Sequence, residues 1–151
     1  MRKLDRYLQL FSIAFTFVIA SSFSILEEAN PEHLFVIGNS PTVKSSLTEK
    51  ELHDILFYEK RVWDQGEPIV IAVMNDRHPT YDLVAKDLYQ KTGKEVRLIW
   101  LEAVLQTAAE SPKKFHYEED LVEFVSKTPG SIGFISKKTK PTNVKTLNIN
   151  D

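Results

Sequence analysis

The run Pro68 to Met74, PIVIAVM, constrains this chain most. It is short, strongly apolar and β-branched at its centre, and it reads as a buried strand. His33 to Gly38, HLFVIG, is a second run of the same kind, closed by the polar turn Asn39-Ser40-Pro41-Thr42. Segments of helical period follow both. Thr48-Glu49-Lys50-Glu51 fits a capping box, with the Thr48 hydroxyl accepting from the amide of Glu51 and the Glu51 carboxylate reaching back. Leu52, Ile55 and Leu56 then fall on one helical face, with Leu47 placed as a staple before the cap, and the helix is expected to run to about Tyr58. Pro79 suits the first turn of another helix, whose Tyr81, Val84, Ala85, Leu88 and Tyr89 make a continuous apolar face. Thr92-Gly93 reads as its stop.

The next stretch, 94–110, has two readings. Val96, Leu98 and Trp100 alternate as in a strand, whereas Leu98, Leu101, Val104 and Leu105 share a helical face, and alanines at 103, 108 and 109 favour the helix. Ser111-Pro112 is its expected end. Tyr117 to Lys127 is a further amphipathic helix, with Glu118, Glu119 and Asp120 in a first turn that suits its dipole. Pro129-Gly130 breaks the chain, Ile132 to Ile135 reads as a strand, and Val144 to Ile149 as the last one. Strands alternating with helices predict an α/β sheet covered on its faces. In such sheets ligands bind beyond the carboxyl ends of strands, here expected at Asn39 to Thr42, Asn75 to Thr80, and from Ser136 onward.

The first 24 residues have a different character. Arg2, Lys3 and Arg6 precede an apolar run from Leu8 to Ala20, followed by the small residues Ser21 and Ser22. That order is a secretory signal peptide, with cleavage between Ser22 and Ser24. At 13 residues the run is short of the roughly 20 that span a bilayer, so no stable membrane anchor is expected; a retained anchor is the competing reading. Residues 25–151 then form one exported domain. The formal charge is −2, and the first 24 residues carry Arg2, Lys3 and Arg6 against Asp5, which leaves the remainder near −4. Such a domain lacks the positive field that nucleic acid requires. There is no cysteine, which excludes disulfides, thiolate metal sites and a lipid-modified cysteine anchor.

Several landmarks occur together in order: Asn39, Ser45-Ser46-Leu47-Thr48, Trp63, the strand Pro68 to Met74, Trp100, and Pro129-Gly130-Ser131-Ile132-Gly133-Phe134. Over about residues 33 to 150 this resembles the small periplasmic phosphate-binding-protein-like domains, relatives of the substrate-binding component of phosphate ABC transporters. The Pro-Gly-Ser-Ile-Gly-Phe piece is the most specific part. The resemblance implies an α/β fold: one lobe of a type 2 periplasmic binding protein, a three-layer sandwich with a mixed sheet. It further implies periplasmic location and non-catalytic binding of phosphate or a similar small oxyanion, as a transport or sensing accessory. Transport-competent relatives carry an Arg and a Ser-Gly-Thr turn after the second strand. Here the turn is Asn75-Asp76-Arg77-His78-Pro79-Thr80, which keeps Arg and Thr, lacks Ser-Gly, and loses one amide donor at Pro79. The chain is also about half the length of a two-lobed binding protein.

Candidate anion-binding residues are therefore Ser45, Ser46 and Thr48 before one helix, and Arg77 and Thr80 at the start of another, where amides and a cation converge. Capping alone also explains Ser and Thr at these positions. His33, His53, His78 and His116 are widely separated and offer no zinc spacing. No Gly-x-Ser-x-Gly elbow, Walker loop or nucleophile–base set is present, so the chain reads as non-enzymatic, with no cofactor. The alternative to anion binding is a protein-interaction module of the cell envelope, partnered by an envelope or transporter protein, that kept the fold and lost the ligand.

Overall fold

A computed structural model describes residues 33–151; the segment read as an export signal lies outside the described residues. The elements follow in the order β1 (Leu34–Gly38), β2 (Ser46–Thr48), α1 (Glu49–Leu56), β3 (Val70–Met74), α2 (Pro79–Asp87), α3 (Gly93–Thr107), β4 (Lys113–Phe115), α4 (Glu118–Lys127), β5 (Ser131–Ser136), β6 (Lys145–Thr146) and β7 (Asn148–Asn150). Both apolar runs are strands, and both capping residues of the Thr48 box make their reciprocal bonds.

Five strands form one sheet in the order β4-β3-β5-β1-β6, and β2 pairs with β7 in a small second sheet. β3 is parallel to β4 and to β5, whereas β1 is antiparallel to β5. The sheet is therefore mixed. Alternate side chains of the central strands enter two separate cores. Leu34, Val36, Ile71, Val73, Ile132 and Phe134 pack with Tyr81, Val84 and Trp100 of the helices on one face. Ile37, Ala72, Met74 and Ile135 pack with Leu121, Val122 and Val125 of α4 on the other. This is the expected three-layer α/β/α arrangement.

Two glycines fix how the layers meet. Gly130 has a φ of +72°, and a Cβ there would lie 2.2 Å from the Pro68 carbonyl oxygen. The same carbonyl-side geometry lets the Trp63 indole donate to the Gly130 oxygen at 2.8 Å. A Cβ on Gly133 would meet Leu121 at 2.7 Å, so the bare strand lets α4 sit directly on β5.

Two expectations are corrected, and one strand is added. Thr92-Gly93 starts α3 rather than stopping α2: Thr92 caps it through the amide of Glu95, whose carboxylate accepts from the Thr92 amide. Of the apolar face assigned within 94–110, Leu98, Leu101 and Leu105 are exposed, and the buried side is Val96 and Trp100. β4 was not foreseen; its Lys-Lys-Phe pairs along the edge of β3, with Phe115 packed on Phe124 of α4. Among the described residues no helix is long and apolar enough to cross a membrane.

Candidate functional site

Because β3, β4 and β5 are parallel, their carboxyl ends share one edge of the sheet. Two helices begin at that edge, α2 at Pro79 and α4 at Glu118, and each aims the positive end of its dipole there; the start of α2 is capped by His78, whereas α4 has no side-chain cap. The antiparallel β1 ends at the opposite edge. Asn39 accordingly bonds to Ser131 at the start of β5 and to the Val125 and Ser126 carbonyls at the end of α4. The loop Asn39 to Thr42 is thus remote from the other two strand ends, contrary to the expectation from the sequence.

The centre of the shared edge is filled by Glu118, which is only 5% exposed. One carboxylate oxygen accepts from the Thr80 hydroxyl and from the Ser136 amide at 2.9 Å. The other accepts from the Ser136 hydroxyl at 3.0 Å and from the Thr139 hydroxyl. Four donors from three residues on two segments of chain thus satisfy two oxygens, as an oxyanion site requires. Burial pushes the Glu118 carboxyl up, but the bonds from Thr139, Thr80 and Ser136 outweigh it and hold it below the ordinary carboxylate range.

The residues around this carboxylate have other commitments. The Thr80 amide donates to His78 Nδ1 at 3.3 Å, so His78 is the cap of α2. Thr80 therefore spends both its donors inside the protein. Arg77 is exposed, and its amide donates to Asn75 Oδ1 at 2.9 Å. Asn75 in turn donates to the Phe115 carbonyl at 3.1 Å, joining the ends of β3 and β4.

Ser45, Ser46 and Thr48 belong to a different neighbourhood. Ser46 and Thr48 lie on β2, in register with Asn148 and Asn150 of β7. The Ser45 carbonyl accepts from the Asn148 amide, and the Thr48 hydroxyl accepts from Glu51 at 3.1 Å. Arg77 and Thr80 stand together at the α2 start, and among the described residues no hydrogen bond joins them to Ser45, Ser46 or Thr48. The strand end from Ser136 onward was expected at this edge, although Ser136 and Thr139 were not named as site residues; Glu118 was read only as helix-start charge. The available signal was an acid at the first position of a helix that follows a strand, and it is invisible without β4.

One other group of possible ligands stands on the surface. His53, Asp54 and Glu59 bring atoms within 4.8 Å of one another. Asp54 already accepts from Lys50 at 2.6 Å, which leaves too few free donors for a metal.

No protein-family model and no curated protein sequence matches the chain. Solved structures do. A Clostridium perfringens protein assigned as a phosphate ABC transporter substrate-binding protein, crystallised with bound phosphate, matches with a TM-score of 0.60 at 16% identity, over 78% of this chain and 44% of that one. The fold is that of the phosphate-binding proteins of ABC transporters. PstS from Borrelia burgdorferi matches at 0.58 and 21% identity, over 79% of this chain and 47% of its own. An ABC-type phosphate transport receptor from Vibrio cholerae matches at 0.52 and 15%, over 78% and 46%. The chain spans a little under half the length of these phosphate-binding-type structures.

Proposed function

We propose that this chain is a non-catalytic binding-protein lobe, exported by residues 1–24 to the periplasm as a domain of residues 25–151, which acts through protein contacts in the cell envelope rather than by holding a free anion. The observation that carries this is the carboxylate of Glu118, which engages four donors at the edge where an α/β sheet takes its ligand. A second carboxylate or a phosphate placed there would meet like charge, and the four donors around Glu118 are already engaged. The partner suggested by the fold neighbours is an envelope or transporter protein.

A second reading keeps phosphate or a similar small oxyanion as the ligand, in a transport or sensing accessory. It is favoured by the neighbours, one of which holds phosphate, and by the donor set itself, which suits any oxyanion. In that reading Glu118 leaves the cradle when the anion enters.

Calorimetric titration of the purified protein with phosphate, then sulfate, at low ionic strength separates the two. No saturable heat from a folded sample is the expected result. One-to-one phosphate binding by the unaltered protein overturns the first reading and establishes the second. The variants Arg77→Ala and Thr80→Ala then decide whether Arg77 and Thr80 belong to that site.

A further inference from the structure

We infer that the solvent face of α3 is a self-association seam, on which a second copy of this chain pairs through its own α3, the two helices parallel. The inference goes beyond the protein-contact reading: to an envelope or transporter partner it adds a second copy of the chain.

The observation is a misplaced stripe. Leu98, Leu101 and Leu105 are 54%, 53% and 76% exposed, although the same helix buries Val96 and Trp100 in the core. At about 100° per residue the three leucines centre on the side opposite Val96 and Trp100. Their steps of three and four residues repeat the spacing of a coiled-coil seam, which ends with the helix at Thr107. A helix exposing one such stripe and burying the other face has two partners to satisfy, and the described chain supplies one. Because the seam points away from the body, two copies meet along it with their bodies on opposite sides.

Charge chooses the occupant and its direction. Arg97 immediately precedes the first seam leucine and Glu102 immediately follows the second. In a parallel pair these flanking positions, five residues apart, face each other across the seam, so Arg97 of each copy meets Glu102 of the other. The antiparallel register that sets Leu101 against Leu105 brings the two Glu102 side chains together instead. Arg97 now pairs with Asp76 at 3.0 Å, an exposed contact of small worth that does not hold it back. Lys94 would meet its own counterpart at the helix start, which limits the seam to the three leucine layers and makes the association weak.

Sedimentation equilibrium of the purified protein over a wide concentration range tests this. A monomer–dimer equilibrium is expected. Leu101→Glu, at an exposed position that folding does not need, abolishes it. Arg97→Glu or Glu102→Arg alone raises the dissociation constant about fivefold, for two exposed pairs per dimer, and the double variant restores it. A protein that is monomeric at every concentration, a dimer indifferent to Leu101→Glu, or a double variant no better than either single one overturns the seam. A monomer that instead floats with lipid vesicles also overturns it. None of these outcomes touches the protein-contact reading, which fails only if the unaltered protein binds phosphate in the calorimeter.

Discussion

Glu118, Glu119 and Asp120 are three acids in a row, alike in composition and unlike in place. Glu119 and Asp120 are exposed; Glu118 points back into the sheet edge and is buried. Removing the hydroxyl that meets it therefore has a defined cost. Thr80→Val deletes a bond to a charged acceptor, and the unfolding free energy measured in urea is expected to fall by about 1.5–3 kcal/mol at neutral pH. The pH dependence has a definite sign. The folded carboxyl lies below its unfolded value, so its contribution is complete above the ordinary carboxylate range and is lost as pH falls through the folded value. The gap between the parent and Thr80→Val should accordingly be full at neutral pH and shrink as pH falls below the ordinary carboxylate range, where the carboxyl takes up its proton. A gap constant across that range would show that Glu118 is not the group held by Thr80.

At the scale of elements, the helix starts are the most legible feature and also the place where one element was misread. Thr48 and Thr92 each open a reciprocal box with the Glu three residues on. Thr48→Ala and Thr92→Ala should each lower stability by about 1 kcal/mol in thermal or urea unfolding, since each orphans an amide at a helix start. The second box is written as plainly in the sequence as the first, Thr92-Gly93-Lys94-Glu95. Gly93 drew the reading to a helix end, because glycine after an apolar helix commonly marks one. It is here for packing: a Cβ would press on Tyr81 at 2.7 Å. The apolar strands were legible because they are buried on both faces. β4 was not, because an edge strand of two lysines and a phenylalanine is held by its ladder to β3 and carries no period. Without β4 the sheet edge is undefined, and Glu118 looks like ordinary helix-start charge. Gly130→Ala should be the harshest of the element-scale changes. It forces a side chain into a positive-φ turn and onto the Pro68 carbonyl, costing about 2 kcal/mol or more, read as a fall in melting temperature.

At the scale of the molecule, the sheet divides two cores that share every central strand. Trp63 and Trp100 both report on the core under α1, α2 and α3, while the other core is sealed by α4. Unfolding followed by tryptophan fluorescence and by far-ultraviolet circular dichroism should give the same midpoint, because neither core survives loss of β1, β3 or β5. Two separated midpoints would mean that α4 leaves first. An α/β sheet covered on its faces was readable from alternation; the three-layer lobe with a mixed sheet was implied by the family resemblance. The direction of β1 was not, since nothing in a strand's own sequence says which way its neighbour runs, and the strand-end loops expected to converge are divided between two edges. The buried carboxylate carries one more consequence. An occupant fixed to the backbone has no dissociation constant with respect to its surroundings; it competes at an effective concentration set by its tether, above the millimolar order that even a short flexible linker gives. On the reading proposed above, free anion would have to exceed that effective concentration before it displaced Glu118, so this sheet edge would keep one shape through ordinary swings in supply.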